Sequence, residues 1–502
     1  MFYWAGQKAG FHIDEIFTFM QSQGGDKGRI YFYPNIYNTW IEASDLKTHI
    51  TVSSEDAFTY TRSITVNGSH PPLYFYAIHT VNSLFPDVFS IWPAISLNIL
   101  VYLGSLIIIY KFGILFLKDR YLSLIPVIIW GMSSAAISLV VYIRMYYLLL
   151  FFCLLFTYFV CKLVVSSKKN LYILAILITA CLGIITHYYF LLYALFVSLS
   201  FGVYLLVKKE FFTVIKCSLA AGLSIFIYSL FGRSPMQVLR LGHGEVAMNN
   251  LTDGSMNISE RLTRTMSLVN LHLFANVSYI TVFIIAGAAI CLFILNTKNK
   301  KTRIPEIVKK PETAMYILLI ISTFLCFITI NRTVWEIDFR YFSFLLPFFT
   351  LITIIPIIYA VKSFGINKAT LFFLITLPCV ILLYTNTHPL HLYKHYHAGF
   401  SSTGYLQHLE LPVVSVGFNS GCLARTIYHL MLFDNMALIS YKDIFNVEVL
   451  EEVQSNNGII LFLQNVDADI AAGHLNEIMK YTGLTEFTNL GRVTIHDIYL
   501  LR

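Results

Sequence analysis

Val88 to Tyr110 reads VFSIWPAISLNILVYLGSLIIIY, 23 residues without one charged side chain. A transmembrane helix takes about 20 consecutive, predominantly apolar residues, so this run is long enough to cross a bilayer alone. Nine more apolar runs follow it, at roughly 121–142, 145–165, 171–187, 188–207, 211–232, 273–295, 314–330, 341–361 and 369–385. The composition agrees. Of 502 residues, 57% are apolar, 16% aromatic and only 13% charged, with a mean hydropathy of +0.67, which no ordinary soluble domain has. The fold class that follows is a polytopic α-helical membrane protein.

Orientation follows from the loops between runs. Lys111, Lys118, Arg120, Lys168, Lys169, Lys208, Lys209, Lys362 and Lys368 share one side, which the positive-inside rule makes cytoplasmic. The opposite short loops carry no lysine, yet they hold Arg144, His187, Arg233, Arg240, Arg261, Arg264, Arg332 and Arg340. Topology does not call for cations there, so their presence points to anion binding. The net charge of +7 is thus accounted for by membrane loops, and no nucleic-acid-binding module is visible. Eight cysteines stand singly, all but Cys422 in apolar runs, with neither a disulfide framework nor a zinc spacing.

Three regions result. Residues 1–87 hold a first outer loop. Met1 to Ala5 is too short to cross a bilayer, so the span that should deliver this loop is expected to be truncated or absent, with an upstream start. Short amphipathic helices are expected at His12–Gln23 and Ser53–Val66, separated by Gly24-Gly25-Asp26-Lys27-Gly28. Residues 88–385 form the multi-span region, in which the polar segment 233–272 reads as a lid loop with a helical patch at Ser259–Val269. Residues 386–502 alternate β-like runs, at Val413–Gly417, Met436–Ser440, Gly458–Leu463 and Val493–Leu501, with helical stretches at Leu423–Leu432 and Asp467–Tyr481. That is the pattern of a small extracytoplasmic α/β domain, and it contains no nucleotide fingerprint.

Acidic residues are scarce, which makes Phe11-His12-Ile13-Asp14-Glu15-Ile16-Phe17 conspicuous: it sets two adjacent carboxylates where the chain meets the outer surface. Two readings fit the pair, complementing a helix dipole or transferring a proton. Four other polar features share its side, namely His70-Pro71-Pro72, Arg144 with Tyr146, Thr186-His187-Tyr188-Tyr189, and Arg340-Tyr341. Each also has an ordinary use as a turn cap, a headgroup contact or part of an interfacial aromatic belt.

Taken in order, Gly10 to Glu15, His70-Pro71-Pro72-Leu73-Tyr74, Tyr142-Ile143-Arg144-Met145-Tyr146, Thr186-His187-Tyr188-Tyr189 and Phe339-Arg340-Tyr341-Phe342-Ser343-Phe344-Leu345-Leu346-Pro347 resemble the bacterial branch of the protein O-mannosyltransferase and lipid A aminoarabinose transferase superfamily. These are membrane glycosyltransferases of the GT-C fold. The resemblance covers about residues 10–360, and the Asp-Glu pair and His-Pro-Pro-Leu are its more specific parts. It implies a GT-C-like fold of about 10–11 spans, a polyprenyl-phosphate sugar donor held in the lipid bilayer of the cell membrane, and a glycan, lipid or protein acceptor at the extracytoplasmic face. It further implies an inverting displacement with Asp14 as general base and Glu15 as an orienting partner or metal contact. His70, Arg144, His187 and Arg340 would hold the donor phosphate, and Tyr146, Tyr188 and Tyr341 the sugar. No cofactor is certain. A divalent metal at Glu15 and His70 stays open, although Asn67-Gly68-Ser69 stands where relatives often carry an acidic residue.

Two other classes compete with this reading. A lipid-linked saccharide transporter or flippase would bury charges near the bilayer midplane, and a noncatalytic envelope accessory protein would need no Asp14. The spans are nearly free of charge and the polar groups collect at one interface, which favours surface chemistry over passage.

Overall fold

A computed structural model describes residues 1–6, 8, 10–22, 38–60, 70–230, 250, 257–274, 287, 310–334, 336–363, 366–385, 403–418, 426–440, 449–450, 458–464, 468–493 and 495–502. The chain begins with α1 (Phe2–Gly6) and α2 (Ile13–Gln21), then a short strand β1 (Trp40–Glu42), α3 (Ala43–Thr48) and α4 (Leu73–Asn82). Helix α2 starts where a capping box places it: the His12 ring accepts from the Asp14 amide, and the Glu15 carboxylate reaches back to the His12 amide. The helix expected over 53–66 does not form in its described part. Residues 53–60 turn instead: the Ser53 hydroxyl donates to the Asp56 carboxylate (3.0 Å) and accepts from the Asp56 amide (3.1 Å), as at a helix start, but Phe58 adopts a left-handed φ of 58° and a helix cannot continue through it. Residues 61–66 lie outside the described set.

The membrane region runs through α5 (Trp92–Leu117), α6 (Leu124–Gly131), α7 (Ser134–Val141), α8 (Tyr146–Val165), α9 (Lys169–Ile184), α10 (Tyr188–Val207), α11 (Phe211–Ser229), α12 (Ile258–Leu273) and α13 (Pro311–Thr333). A short α14 (Phe339–Phe342) then passes through a 3-10 turn into α15 (Leu346–Ser363), followed by α16 (Lys368–Thr385). Among the described residues six helical stretches are long and apolar enough to cross a membrane, with Phe339–Tyr359 counted as one, and the α6–α7 pair makes a seventh if it is a single broken span. The run read as continuous over 121–142 is therefore bent, by 58°. Ser133 causes the break: its hydroxyl caps the new helix by accepting from the Ala136 amide at 3.1 Å. Most of the apolar run at 273–295 and of the lid at 233–272 lies outside the described residues; within the lid Asn250 and α12 are described, and α12 spans the expected helical patch.

Large apolar side chains face outward, as a lipid solvent requires. Leu100, Leu103 and Ile107 on α5, Leu171, Leu174 and Ile178 on α9, and Phe373, Leu374 and Leu377 on α16 are all exposed. The fold is thus that of a multi-pass membrane protein.

The C-terminal region holds β2 (Val413–Gly417), α17 (Ile427–Leu430), β3 (Asn435–Ser440), β4 (Ile459–Gln464), α18 (Ala468–Thr482), β5 (Phe487–Val493) and β6 (His496–Leu501). The sheet order is β1-β3-β2-β4-β6-β5, with β2 parallel to both β3 and β4 and the remaining pairs antiparallel. The last β-like run is thus the second arm of a hairpin that starts at Phe487. Alternation sorts the strands into two faces. Val413, Met436, Leu438, Ile460 and Phe462 pack toward α2 with Phe11, Ile16 and Phe19, whereas Val414, Val416, Ile439 and Leu461 pack with Leu475 and Ile478 of α18. One edge of the sheet comes from far away in sequence: Trp40, Ile41 and Glu42 pair with Ala437, Met436 and Asn435. The sheet and the first loop therefore share a core.

Candidate active site

Asp14 sits in the first turn of α2, and everything around it is set by where that turn is held. Its carboxylate accepts from the Tyr142 hydroxyl at 3.0 Å and pairs with the Arg340 guanidinium, with the His12 ring 3.6 Å away. Arg144 reaches the same turn from behind, its Nη1 donating to the Asp14 carbonyl (3.2 Å) and the Thr18 hydroxyl (3.0 Å). Burial alone would raise the Asp14 carboxyl, but the charges of Arg144 and Arg340, with the Tyr142 hydrogen bond, outweigh it and hold the group well below the usual carboxylate range. Tyr142 moves the other way, since burial and the Asp14 charge keep its phenol protonated and donating.

Glu15 does a different job. It is fully buried, its two oxygens accepting from Lys8 Nζ (2.9 and 3.0 Å), from the His12 amide (2.7 Å) and from the Ile143 amide (2.8 Å). These donors engage both oxygens of Glu15, Oε2 holding the His12 amide and Oε1 the Ile143 amide. Among the described residues no group of three or more His, Cys, Asp or Glu side chains is arranged to hold a metal ion, so no step is assigned to one.

The turn that carries Tyr142 and Arg144 is held from below by Asn98. This residue of α5 is almost fully buried; its amide donates to the carbonyls of Val140 (3.0 Å) and Tyr142 (3.2 Å) and its oxygen accepts from the Tyr74 hydroxyl (3.1 Å). An asparagine near the start of this mostly apolar span is a signal in itself.

His187 caps α10, its Nδ1 accepting from the Tyr189 amide at 3.1 Å. Burial, then the charge of Arg144, push its pKa down to about 3, so the ring is neutral, and with Nδ1 accepting it carries its proton on Nε2. His187 therefore offers a neutral donor, not the cation expected for a phosphate contact. His70 joins it with ring centroids 5.7 Å apart, brought there by the Leu73 amide bonding the Ile185 carbonyl (2.9 Å). Gly183 makes this turn feasible: a Cβ there would lie 2.4 Å from the Phe190 ring.

The aromatic residues close a circuit. From Asp14 the contacts run to Tyr142, to the Tyr146 ring stacked on it (6.0 Å, 8°), to His187 (5.5 Å) and to Tyr189 (4.9 Å). They continue to Tyr341 (6.2 Å), over which the Arg340 guanidinium lies at 5.0 Å, and so back to Asp14. Asp338 supports the last link, capping α14 through the Arg340 amide (2.9 Å) and standing 3.5 Å from Arg340 Nε. Tyr188 stands beside the circuit, its ring 6.5 Å from His187 and 6.5 Å from Tyr228. In the sequence His12, Tyr142 and Tyr189 stand only inside quoted motifs, and Lys8, Asn98 and Asp338 stand outside every one of them. Arg261, grouped with the anion-binding arginines, instead donates to the Asn331 (2.7 Å) and Val334 carbonyls at the end of α13.

No protein-family model and no curated protein matches the sequence. Solved structures do match the fold, which is GT-C-like. ArnT of Cupriavidus metallidurans, a lipid A aminoarabinose transferase solved bound to undecaprenyl phosphate, is similar with a TM-score of 0.51 and 10% identity over 97% of this chain and 96% of that one. Its apo state gives 0.50 with the same identity and coverage. The oligosaccharyltransferase of Archaeoglobus fulgidus, solved with zinc and sulfate, gives 0.44 and 11% identity over 91% of this chain and 64% of that one. At these identities the likeness is one of fold.

Proposed function

We propose that this chain transfers a sugar from a polyprenyl-phosphate donor to an acceptor hydroxyl at the extracytoplasmic face of the membrane. The observation that carries the reading is the closed circuit around Asp14, which puts a carboxylate, two guanidiniums, a neutral imidazole and four phenols at one end of the bundle. Spans α8, α10 and Phe339–Tyr359 all begin at this circuit, so their positive dipole ends favour an anion there. Their far ends carry Lys162, Lys208 and Lys362, which supports a cytoplasmic location for that side.

In this reading the acceptor oxygen attacks the anomeric carbon as its proton passes to Asp14. The bond from that carbon to the phosphate oxygen breaks, the electron pair stays on the phosphate, and configuration inverts. A positioned base contributes about 10²–10⁴-fold. A guanidinium has five N–H donors, more than Arg340 uses on Asp14 and Asp338, so it can meet the departing phosphate while still pairing with Asp14. His187 Nε2–H serves as a neutral donor, and Tyr146 and Tyr341 offer ring faces and hydroxyls to the sugar. An apolar cavity of about 250 Å³ between α8, α9, α10 and α11 includes Ile184 and Phe190, which flank the His187 turn. It supports a place for the start of the isoprenoid tail. The ArnT structure with undecaprenyl phosphate supports that class of lipid.

The test is purified protein in proteoliposomes, offered undecaprenyl-phosphate mannose, glucose and aminoarabinose with cell-envelope extract as acceptor. Release of undecaprenyl phosphate from one of them is expected. Movement of intact donor across the bilayer, with no release, would replace the reading with a transporter.

A further inference from the structure

Lys8 lies outside every motif that points to the chemistry, yet its side chain is 2% exposed and its ammonium meets both oxygens of a fully buried carboxylate. It also lies 5.3 Å from the centre of the Phe11 ring. Long charged side chains are rarely buried unless paired, and this pair sits at a junction. Glu15 Oε2 holds the His12 amide, where α2 begins, and Glu15 Oε1 holds the Ile143 amide. Ile143 is flanked by Tyr142 and Arg144, the two residues that grip Asp14 by its carboxylate and by its carbonyl.

We propose that Lys8 is a positioning residue for the reaction: by neutralising Glu15 it lets one buried carboxylate tie the start of α2 to the 142–144 turn, and so fixes Asp14 against Tyr142, Arg144 and Arg340. The inference rests on Asp14 being the proton acceptor. Without Lys8 the buried carboxylate must take up a proton or move toward water, and either change weakens its hold on the two amides. The tolerance is small. A shift of about 1 Å in the turn would lengthen the 3.0 Å Tyr142 bond past any hydrogen-bonding distance.

The test compares the parent, Asp14→Asn, Lys8→Arg and the neutral, near-isosteric pair Lys8→Met with Glu15→Gln, in proteoliposomes with whichever undecaprenyl-phosphate sugar the parent consumes. The readouts are kcat, KM and the acid limb of kcat/KM, which reports the free enzyme's base. The groups facing Asp14 are His12, Tyr142, Tyr146, Arg144 and Arg340. If the knot positions it, the neutral pair loses about tenfold or more in kcat with little change in KM. Its acid limb also rises toward the ordinary carboxylate value of about 3.9, and Lys8→Arg restores most of the rate. A merely structural pair would lower the yield of folded protein without moving the limb. The inference is overturned if the neutral pair keeps kcat within about twofold with an unmoved limb, or if it does not fold at all, since the pair then supports the fold and not the site. Full turnover by Asp14→Asn would instead sink the assignment of the base itself.

Discussion

Asn98→Leu replaces a buried amide by an apolar side chain of similar size, and the structure sets out what is lost. Two carbonyls lose a donor and the Tyr74 hydroxyl loses its acceptor. The losses are unequal, because the Tyr142 carbonyl keeps a second donor, the Arg144 amide at 2.8 Å. Polar contacts between membrane helices average about 0.6 kcal/mol, whereas a buried group left without a partner costs about 1–3 kcal/mol. Two groups orphaned, with a third half-satisfied, gives roughly 2–6 kcal/mol, with the upper part favoured because the site is buried in protein and not lipid. Reversible unfolding in mixed micelles, followed by tryptophan fluorescence, would measure this. The reasoning also requires the Tyr142 turn to loosen, so turnover should fall further than the folded fraction does. A variant within about 0.5 kcal/mol of the parent, with unchanged turnover, would refute it.

The other predictions concern separate parts of the fold. The pKa of His187 is pushed down to about 3, so below the unfolded value of about 6.5 the unfolded chain binds a proton that the folded chain does not. Its contribution to stability is present above pH 6.5 and falls by roughly 1.4 kcal/mol per unit toward pH 3; in melts at stepped pH, His187→Gln should show a flatter decline. Gly183→Ala forces a Cβ into the buried Phe190 ring and should destabilise by about 1–3 kcal/mol, read by the same unfolding assay, with Gly202→Ala, where nothing lies within 4 Å, as control. Trp40→Ala removes the hydrogen bond to the Val449 carbonyl (3.1 Å) and an anchor of β1, so hydrogen exchange should quicken in peptides covering 38–48 and 435–440 while the spans stay protected.

What could be read in advance was whatever depends on local pattern. Apolar runs as long as Val88–Tyr110 announce spans, and the β-like run Val413–Gly417 is a strand, which the structure shows buried on both faces in the middle of the sheet. The bend in α6–α7 was written in Gly131-Met132-Ser133-Ser134, where a serine can cap a new helix, but run length outweighed that signal. Strand β1 was out of reach: three residues are too few to show alternation, and their partner lies nearly four hundred residues away. Asp14 and Arg340 could be named from motifs, yet nothing local says that one pairs with the other. Lys8 shows the same limit, since a lysine near a chain start looks like surface until the carboxylate that buries it is seen. His187 illustrates a further one, because its neutrality comes from burial and from Arg144, neither of which is a property of the Thr-His-Tyr-Tyr motif.

The central claim is that Asp14 takes the acceptor proton in a sugar transfer from a lipid-linked donor. Single-turnover release of undecaprenyl phosphate by Asp14→Asn, beside the parent and with donor binding measured separately, tests it most directly. Asparagine keeps the shape and the capping geometry of α2 but cannot accept the proton. The account predicts donor binding within a few-fold of the parent and release slowed by at least about 10²-fold. Release at the parental rate would contradict it, and would leave Asp14 as the partner that holds Arg340 in place.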